Sequence, residues 1–373
     1  MSIDSHPEQY TETFEVNMGP QHPSTHGVLR LLLSMDGEII RSAEPHIGYL
    51  HRAIEKICEN RTYNMCIPFM DRVEYVTAMS AEMAFCMAAE KIAAIEIPER
   101  AEYLRVIMLE LNRIASHLIF LGTFSLDLGA ITPFLYTLRE REDIIDLFEM
   151  ASGQRLTYNY IRVGGVAEDI PPDFVPLARK FVDKFESKVD DYEALLTENP
   201  IFLARTKDIG TFDKDLCINY GVSGPILRAT GVDWDLRRDD PYSIYDRFKF
   251  EIPTGTVGDT WDRYMVRVKE MRQSNAIVRQ ALDQLPDGET RAKVKPAAFK
   301  PPEGEVYARV ENSRGELGCH IVSDGTAKPY RVKLRGGSFC HTQIIPEVAP
   351  GIMIADLVAI FASMDVILPE VDR

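Results

Sequence analysis

The feature that most constrains the fold is a series of long amphipathic segments, joined by short connections, between residues 71 and 200. Alanine, methionine and glutamate dominate the first of them, which contains neither glycine nor proline and therefore suits a helix. Apolar residues recur at helical spacing in the others, and Gly122 and Gly153 are expected to end two of them. We predict helices over residues 73–95, 101–121, 134–150 and 175–196. Long helices with short connections predict a helical bundle.

The bundle is flanked by two regions of mixed character. Residues 1–70 carry strand-like runs, a hairpin signal at Asp36-Gly37 and a short helical segment, which together predict a small antiparallel sheet. Residues 201–373 begin as loop and continue with predicted elements: a helix at 261–285, a proline-rich arm at 289–304, strands at 305–311, 318–323 and 330–334, and a helix near 353–361. The predicted fold class is α+β, with a small N-terminal α+β region (1–70), a central helical bundle (71–200) and a loop-rich, mixed α/β C-terminal region (201–373).

Composition restricts the class of partner. The chain has 373 residues and a formal net charge of −15, which disfavours nucleic acid. It contains no run of about 18 uncharged apolar residues, so no segment is expected to span a bilayer. The polar, acidic first residues do not resemble a secretory signal peptide. Any membrane contact is expected to come through partners.

The cysteines indicate reduced thiols rather than a metal site. None of the six stands in a C-x-x-C pair, and a chain of this size without a signal peptide is expected in the cytosol. Cys319-His320 and Cys340-His341 form adjacent doublets. Neighbouring side chains in a strand point to opposite faces, so we do not expect either doublet to chelate a metal.

A stiff loop with two histidines is the first candidate site. His22 and His26 lie four residues apart in a segment that contains two prolines and is flanked by glycines, which excludes a regular helix or strand. Imidazole exchanges protons near neutral pH. A hairpin loop with incidental polar residues is the alternative interpretation.

Other polar residues could act together with that loop. Tyr75 stands at the start of a predicted helix, and Asp127 lies in an apolar segment predicted as a loop between two bundle helices. A tyrosine and a histidine that reach one apolar cavity can donate hydrogen bonds to two carbonyl oxygens and yield protons as electrons arrive. A nearby carboxylate would stabilise the charged imidazole. Considered singly, Tyr75 is better explained as a core or surface aromatic, and Asp127 as a helix cap.

Two further polar clusters stand in the sequence. Residues 46–55 read His-Ile-Gly-Tyr-Leu-His-Arg-Ala-Ile-Glu, a dense polar group beside apolar residues. Glu110, Arg113 and His117 share one helical stripe, which indicates either a solvated face or a buried ion network. No phosphate-binding loop, dinucleotide fingerprint, zinc-protease motif or nucleophile elbow is present in the sequence.

Long motifs bring these candidates together. They are GPQHPSTHGVLRLLL (19–33), EPHIGYLHRAIEK (44–56), ERAEYLRVIMLELNRIASHL (99–118), REREDIIDLFE (139–149), YIRVGGVAEDIP (160–171), GVSGPILRATGVDWDLRRDDPY (221–242) and SRGELGCHIVSDGTAKPYRVKLR (313–335). Together they resemble the D-subunit family of respiratory complex I, the NADH:quinone oxidoreductase, from about residue 12 to the C-terminus.

The resemblance implies a place in the hydrophilic arm, against the B and C subunits of complex I and near the membrane arm, on the cytoplasmic side of the bacterial inner membrane. It implies that the B subunit supplies a [4Fe–4S] cluster and that quinone, the substrate, is reduced between the two subunits, coupled to proton translocation. It implies that His26 and Tyr75 bind the quinone headgroup, that Asp127 partners His26, and that Arg52 lies near the cluster. This chain itself is expected to bind no metal.

The family also resembles the large subunit of nickel–iron hydrogenases, whose metals are held by two C-x-x-C pairs. Here seven residues separate Cys58 from Cys66, and residues 364–368 contain no cysteine, so a nickel–iron centre is not expected. Ala53 and Pro369 stand where the family commonly has glycine, and Cys319-His320 replaces an apolar or aromatic pair. The alternative interpretations are a component of a membrane-bound hydrogenase complex, a component of a ferredoxin-driven plastoquinone oxidoreductase, and a non-catalytic scaffold for the B subunit.

Overall fold

The computed structural model describes residues 13–21, 27–295 and 298–373. His22 and His26, predicted as the first candidate site, lie outside these residues. Within them the chain combines many helices with small antiparallel sheets, which confirms the predicted mixture of helices and sheets. The division into three regions at residues 70 and 200 stays a prediction.

Helices make up most of the described chain. They are α1 (Ile54–Cys58), α2 (Tyr63–Val73), α3 (Ala78–Ala93), α4 (Glu99–Asp127), α5 (Ile131–Ser152), α6 (Phe174–Leu196), α7 (Pro200–Thr206), α8 (Lys214–Asn219), α9 (Gly224–Ala229), α10 (Leu236–Asp239), α11 (Thr260–Gln284), α12 (Gly337–Gln343), α13 (Ile345–Val348), α14 (Ile354–Met364) and α15 (Leu368–Asp372). The strands are β1 (Phe14–Met18), β2 (Arg30–Asp36), β3 (Ile39–His46), β4 (Ile161–Arg162), β5 (Gly165–Val166), β6 (Gly304–Asn312), β7 (Gly315–Ser323) and β8 (Arg331–Arg335).

The first sheet joins the two ends of the described chain. Its strands are antiparallel in the order β1-β2-β3, and the predicted hairpin at Asp36-Gly37 is confirmed. The Ile40 N–H donates to the carbonyl of Ile352 (2.9 Å), and the Gly351 N–H donates back to Ile40 (2.7 Å). Buried residues of this sheet share one apolar cluster with α14 and α15, so the C-terminal segment is held against the N-terminal sheet.

The helix predicted over residues 73–95 is confirmed as α3 but begins later, at Ala78, after a bend at Tyr75 that separates it from α2. α2 ends at Val73 and α3 begins at Ala78. Between them the Glu74 carboxylate accepts the backbone N–H groups of Val76 (3.3 Å) and Thr77 (2.7 Å). Side-chain acceptance of this kind competes with the helical hydrogen bonds and ends the helix.

The predicted end of the next helix at Gly122 is wrong, because α4 continues to Asp127. A Cβ at Gly122 would stand 2.6 Å from Oγ1 of Thr137 and 3.3 Å from the Cα of Phe134. The glycine therefore permits close packing of α4 on α5 and does not terminate a helix. Asp127 is the last residue of α4, not a loop residue. Gly153 does follow α5, in the left-handed conformation (φ 75°), as predicted.

The polar stripe on α4 is a buried ion network, not a solvated face, and it extends well beyond α4. We call it the core ion lattice, and its members, all at most 2% exposed, are Glu110, Arg113, His117, Arg228, Asp235, Arg237, Glu270 and Glu311. His117 Nε2 lies 2.8 Å from Glu270, and Arg228 binds both Glu270 and Glu311. The lattice ties α4 to α11 and to the loops around α9 and α10.

The C-terminal half follows the sequence prediction with one correction. β6-β7-β8 form an antiparallel sheet and α11 occupies the predicted long helix. The segment 208–245, expected to be dominated by loops, contains the short helices α8, α9 and α10. None of the helices in the described part of the chain combines the length and apolar composition needed to cross a bilayer.

Candidate functional site

A cavity of about 450 Å³ contains two of the predicted site residues, Tyr75 and Asp127. The apolar part of its wall comes from Val76, Ile119, Leu126, Leu156, Val366 and Ile367, and the polar part from Tyr75, Thr123, Asp127, Arg141, Arg314 and Asp365. A mainly apolar wall with a few convergent polar groups is typical of small-molecule sites. A larger depression of about 630 Å³ beside Glu90 and Arg105 is lined by none of the predicted site residues.

The bend between α2 and α3 places Tyr75 in the wall. Glu74 accepts the two N–H groups that follow Tyr75, and the side-chain amide of Asn112 donates to the carbonyl of Val76 (3.0 Å). The backbone on both sides of Tyr75 is therefore held by buried side chains. Burial raises the pKa of the Tyr75 phenol, and the Arg314 guanidinium only partly opposes this. The phenol thus keeps its proton near neutral pH and is available as a donor.

Asp127 lines the same cavity. It is half-buried at the last turn of α4, where Thr123, one turn earlier, also lines the space. The N-cap residue of α5 is Ala130, not Asp127. Asp127 thus offers a carboxylate to whatever occupies the cavity.

Arg314 and Asp365 were not singled out by sequence reasoning, yet they form the polar floor of the cavity. Arg314 lies in the turn between β6 and β7, and donates Nε to the Asp365 carbonyl (2.7 Å) and Nη2 to its Oδ1 (3.0 Å). The other oxygen of Asp365, Oδ2, is buried and receives no hydrogen bond from the described residues. A buried carboxylate oxygen without a hydrogen-bond donor is energetically costly. Because Asp365 lines the cavity, a ligand bound there could supply the missing donor.

The same arginine also reaches Glu74 (3.3 Å) and so connects the floor to the Tyr75 bend. Burial is the main cause that raises the pKa of Glu74 to about 7, and the nearby Glu370 and Asp365 add to it while Arg314 opposes it. One guanidinium is shared between two acids, so it compensates each only in part. Glu74 therefore titrates near neutral pH directly behind Tyr75.

Arg52 lies away from the cavity, on an exposed surface of the chain. Its Nη2 donates to the carbonyl of Arg72 (2.6 Å), at the end of α2. The following residue, Ala53, precedes α1 in the left-handed conformation (φ 55°). That conformation is strained for an L-residue and not for glycine, which explains physically why glycine suits this position.

The cysteines do not form a ligand set. No group of three or more histidine, cysteine or acidic side chains in the described residues is arranged to hold a metal ion. The Cys66 thiol donates to the Cys58 carbonyl, and this hydrogen bond together with burial raises its pKa. Cys319 is buried while His320 points outward to Glu305 (3.6 Å), as expected for neighbours in a strand.

Comparison with known proteins identifies the family. Residues 127–373 match the family described as "Respiratory-chain NADH dehydrogenase, 49 Kd subunit". The chain belongs to this family. It is 55% identical over 364 residues to the D subunit of the NADH-quinone oxidoreductase of Dehalococcoides mccartyi, covering 97% of this chain and 99% of that protein. The D subunits of Desulforamulus reducens and Bacillus cereus are each 51% identical over the same shares. The resemblance drawn from the motifs is confirmed.

The family match covers only part of the candidate site. The family match begins at Asp127 and includes Arg141, Arg314 and Asp365, while Tyr75 and Arg52 lie before it. A signal for Arg314 was present in the sequence, because it stands in a Ser-Arg-Gly turn between two strand-like runs. Asp365 offered none, since only the folded chain brings the end of α14 to the α2–α3 bend.

Proposed function

We propose that this chain is the quinone-site subunit of an NADH-quinone oxidoreductase, and that the cavity between Tyr75 and Asp127 receives the quinone headgroup. The observation that carries the proposal is the convergence of a protonated phenol and a carboxylate on one mainly apolar space. Its volume suits a headgroup, and its apolar wall suits an uncharged ring. The name shared by the relatives supports the same activity.

In this proposal Tyr75 donates a hydrogen bond to one quinone carbonyl, and His26 donates to the other. Asp127 stabilises the imidazolium form of His26. Each electron that reaches the headgroup raises its affinity for a proton, and Tyr75 and His26 are general acids placed to supply one. Electrons come from a [4Fe–4S] cluster carried by the B subunit, close to Arg52. Quinone reduction in the complex drives proton translocation.

Exposed apolar residues around the cavity support a partner subunit over it. Leu126 and Leu156, which line the cavity, are 42% and 46% exposed, and Ile131 and Leu135 at the start of α5 are 59% and 58% exposed. Contiguous exposed apolar residues mark interaction surfaces. We assign this surface to the B subunit, with the C subunit and the membrane arm as further neighbours. The proposed place is peripheral, on the cytoplasmic side of the bacterial inner membrane.

Two further proposals follow from the resemblance. The fold is that of the nickel–iron hydrogenase large subunit, without its metal ligands. A ferredoxin-driven quinone reductase is the alternative assembly for the same cavity. Supplying the purified complex with NADH or with reduced ferredoxin distinguishes the two donors directly.

The test of the quinone site is Tyr75→Phe. The ring still fills its place while the donor is lost, so the complex should assemble and its quinone reductase turnover should fall by about 5- to 150-fold, which corresponds to about 1–3 kcal/mol. Tyr330, which is 67% exposed, provides the matched control, since Tyr330→Phe should leave turnover unchanged. Wild-type turnover of the Tyr75→Phe complex with short-chain quinones would contradict the assignment.

Dependence on the partner is tested with the purified chain. It holds no described metal-ligand set and the proposal gives it no electron carrier, so it should reduce no quinone from a simple donor. Activity should appear on reconstitution with the cluster-bearing subunit. Quinone reduction by the chain alone, or stoichiometric iron or nickel on it, would overturn the proposal.

A further inference from the structure

Two buried acids, Asp71 and Glu82, face each other across the bend that carries Tyr75. Asp71 lies in the last turn of α2 and Glu82 in the second turn of α3. Both are 0% exposed, and each carboxyl group is a side-chain hydrogen-bond partner of the other. Neither residue lines the cavity.

Donors around this pair are too few for two carboxylates. The Ile161 N–H donates to Oε2 of Glu82 (2.6 Å). Neither oxygen of Asp71, nor Oε1 of Glu82, receives a well-formed hydrogen bond from an N–H or O–H of the described residues, although the Asn159 amide acts to lower the pKa of Asp71. Two ionised carboxylates in contact, buried and without donors, are strongly unfavourable.

The cations near the pair are also engaged by other partners. Arg72 is 3.8 Å from Asp71, but its side chain is 47% exposed and donates to the Pro68 carbonyl. Arg162 acts on both acids, yet its Nε donates to the Asn159 carbonyl. Tyr158 interacts electrostatically with both acids, and Cys86 interacts with Glu82. Burial, and for Glu82 also the neighbouring Asp71, raises the pKa of each acid.

We propose that Asp71 and Glu82 form a carboxyl–carboxylate clasp that binds one proton, holds α2 against α3, and thereby positions Tyr75 in the bend between them. The shared proton makes one O–H···O⁻ hydrogen bond, which is of the strong, charge-assisted kind. Loss of the proton replaces that bond by repulsion between two carboxylates. The bend then loosens and Tyr75 loses its place in the cavity wall.

The clasp differs from an ordinary buried ion pair on the same helix. Glu90, two turns after Glu82, is held by both Nη atoms of Arg105 (3.1 and 2.6 Å). That carboxylate is fully paired. Neither Asp71 nor Glu82 is held by an arginine fork of this kind, and we infer that the two form a proton-binding site that the proposed quinone chemistry has not used.

The first test is infrared spectroscopy of the assembled complex. Asp71→Asn and Glu82→Gln each give the remaining carboxylate an amide donor, so each should remove the absorption of one protonated carboxyl group at neutral pH. Glu90→Gln is the matched control on α3 and should remove none. Either acid variant is sufficient if the other does not assemble, because both remove the same proton. An unchanged protonated-carboxyl absorption would overturn the clasp.

The second test asks whether the clasp acts on Tyr75, and it rests on the proposed function. The amide–carboxylate bond in Asp71→Asn and Glu82→Gln does not titrate, so quinone reductase turnover in both should persist to higher pH than in the wild-type complex. A purely structural role would lower turnover equally at all pH values. If turnover in both variants declines at high pH just as it does in the wild-type complex, the positioning role is overturned. The infrared result does not depend on activity, so its failure is distinguishable from failure of the quinone site itself.

Discussion

The core ion lattice and the cavity wall are built from the same residue types, and they differ in whether their charges are paired. In the lattice, Arg228 meets Glu270, Glu311 and Asp235, and Arg237 meets Glu110 and Asp235, all at full burial. In the wall, one oxygen of Asp365 receives no hydrogen bond from the described residues, and Arg314 is shared between two acids. Paired buried charges hold a fold together, whereas incompletely paired ones can change protonation or bind a ligand.

The buried histidine shows the contrast in a single residue. Glu270 holds Nε2 of His117, but burial is the larger influence and lowers the pKa of His117. Burial acts to raise the pKa of Glu270, but Arg228 and His117 together outweigh it and lower that pKa. His117 is therefore neutral and Glu270 ionised near neutral pH. These two lattice groups keep fixed charge states near neutral pH, while Glu74 behind the cavity titrates near pH 7.

The largest effect is expected where a lattice charge loses its partner. Arg228→Met leaves three buried carboxylates undercompensated, and breaking a buried pair costs about 3–5 kcal/mol. We expect strongly reduced assembly of the complex, measured as the yield of intact complex and its thermal midpoint. Arg155 binds three acids on the surface, so Arg155→Met is the control and should assemble like wild type. Equal assembly of the two variants would contradict the claim that the buried lattice pairs stabilise the fold more than surface pairs do.

The next effect concerns Glu74, at the boundary of the two regions. Its pKa is raised from the usual 4.5 to about 7, so the folded state holds a proton that the unfolded state releases. The protonated Glu74 makes its full contribution to the free energy of unfolding below about pH 4.5. That contribution, about 3 kcal/mol in total, is lost as the pH rises through 7. Glu74→Gln should remove this dependence. The measurement is hydrogen exchange of the Val76 and Thr77 amides between pH 5 and 8, corrected for intrinsic rates, in wild type and in Glu74→Gln. The same pH dependence in both proteins would contradict the assignment.

A smaller effect is expected at Asp127, inside the cavity. If its carboxylate stabilises the His26 imidazolium as proposed, Asp127→Asn should move the pH profile of turnover to lower pH by about one unit, equivalent to about 1.4 kcal/mol. Asp215, in the first turn of α8, is a control outside the cavity, and Asp215→Asn should leave the profile in place. An unchanged profile in Asp127→Asn, with activity preserved, would count against any coupling of the two groups.

The smallest effect separates backbone strain from charge. Ala53 and Ala94 both adopt the left-handed conformation, at φ 55° and 50°. Replacing either by glycine should raise the free energy of unfolding by about 0.5–1 kcal/mol, since relief of strain exceeds the added freedom of the unfolded chain. The denaturation midpoint of each variant measures this. Because Ala53 adjoins Arg52 and Ala94 does not, a change in quinone reduction confined to Ala53→Gly would show that the local backbone affects the Arg52 surface.

Local sequence was sufficient for elements whose pattern carries its own physical cause. The hairpin at Asp36-Gly37, the glycine cap at Gly153, the long helix α11 and the strands β6 to β8 follow from turn chemistry and periodicity alone. For Glu110, Arg113 and His117 the sequence left a solvated face and a buried ion network open, and the structure shows the second. Motifs over the whole chain were also sufficient to recognise the family.

Only the tertiary structure decided the features that depend on distant contacts. Gly122 is required by the approach of α5, so its place within a helix was not evident from its own neighbours in sequence. Glu74 breaks a segment of good helix formers because its carboxylate is held there by Arg314, 240 residues away. Asp365 reaches the same wall from the end of α14 because the C-terminal segment packs on the N-terminal sheet. The sequence determined which side chains are available for chemistry, and packing decided which of them lack a partner.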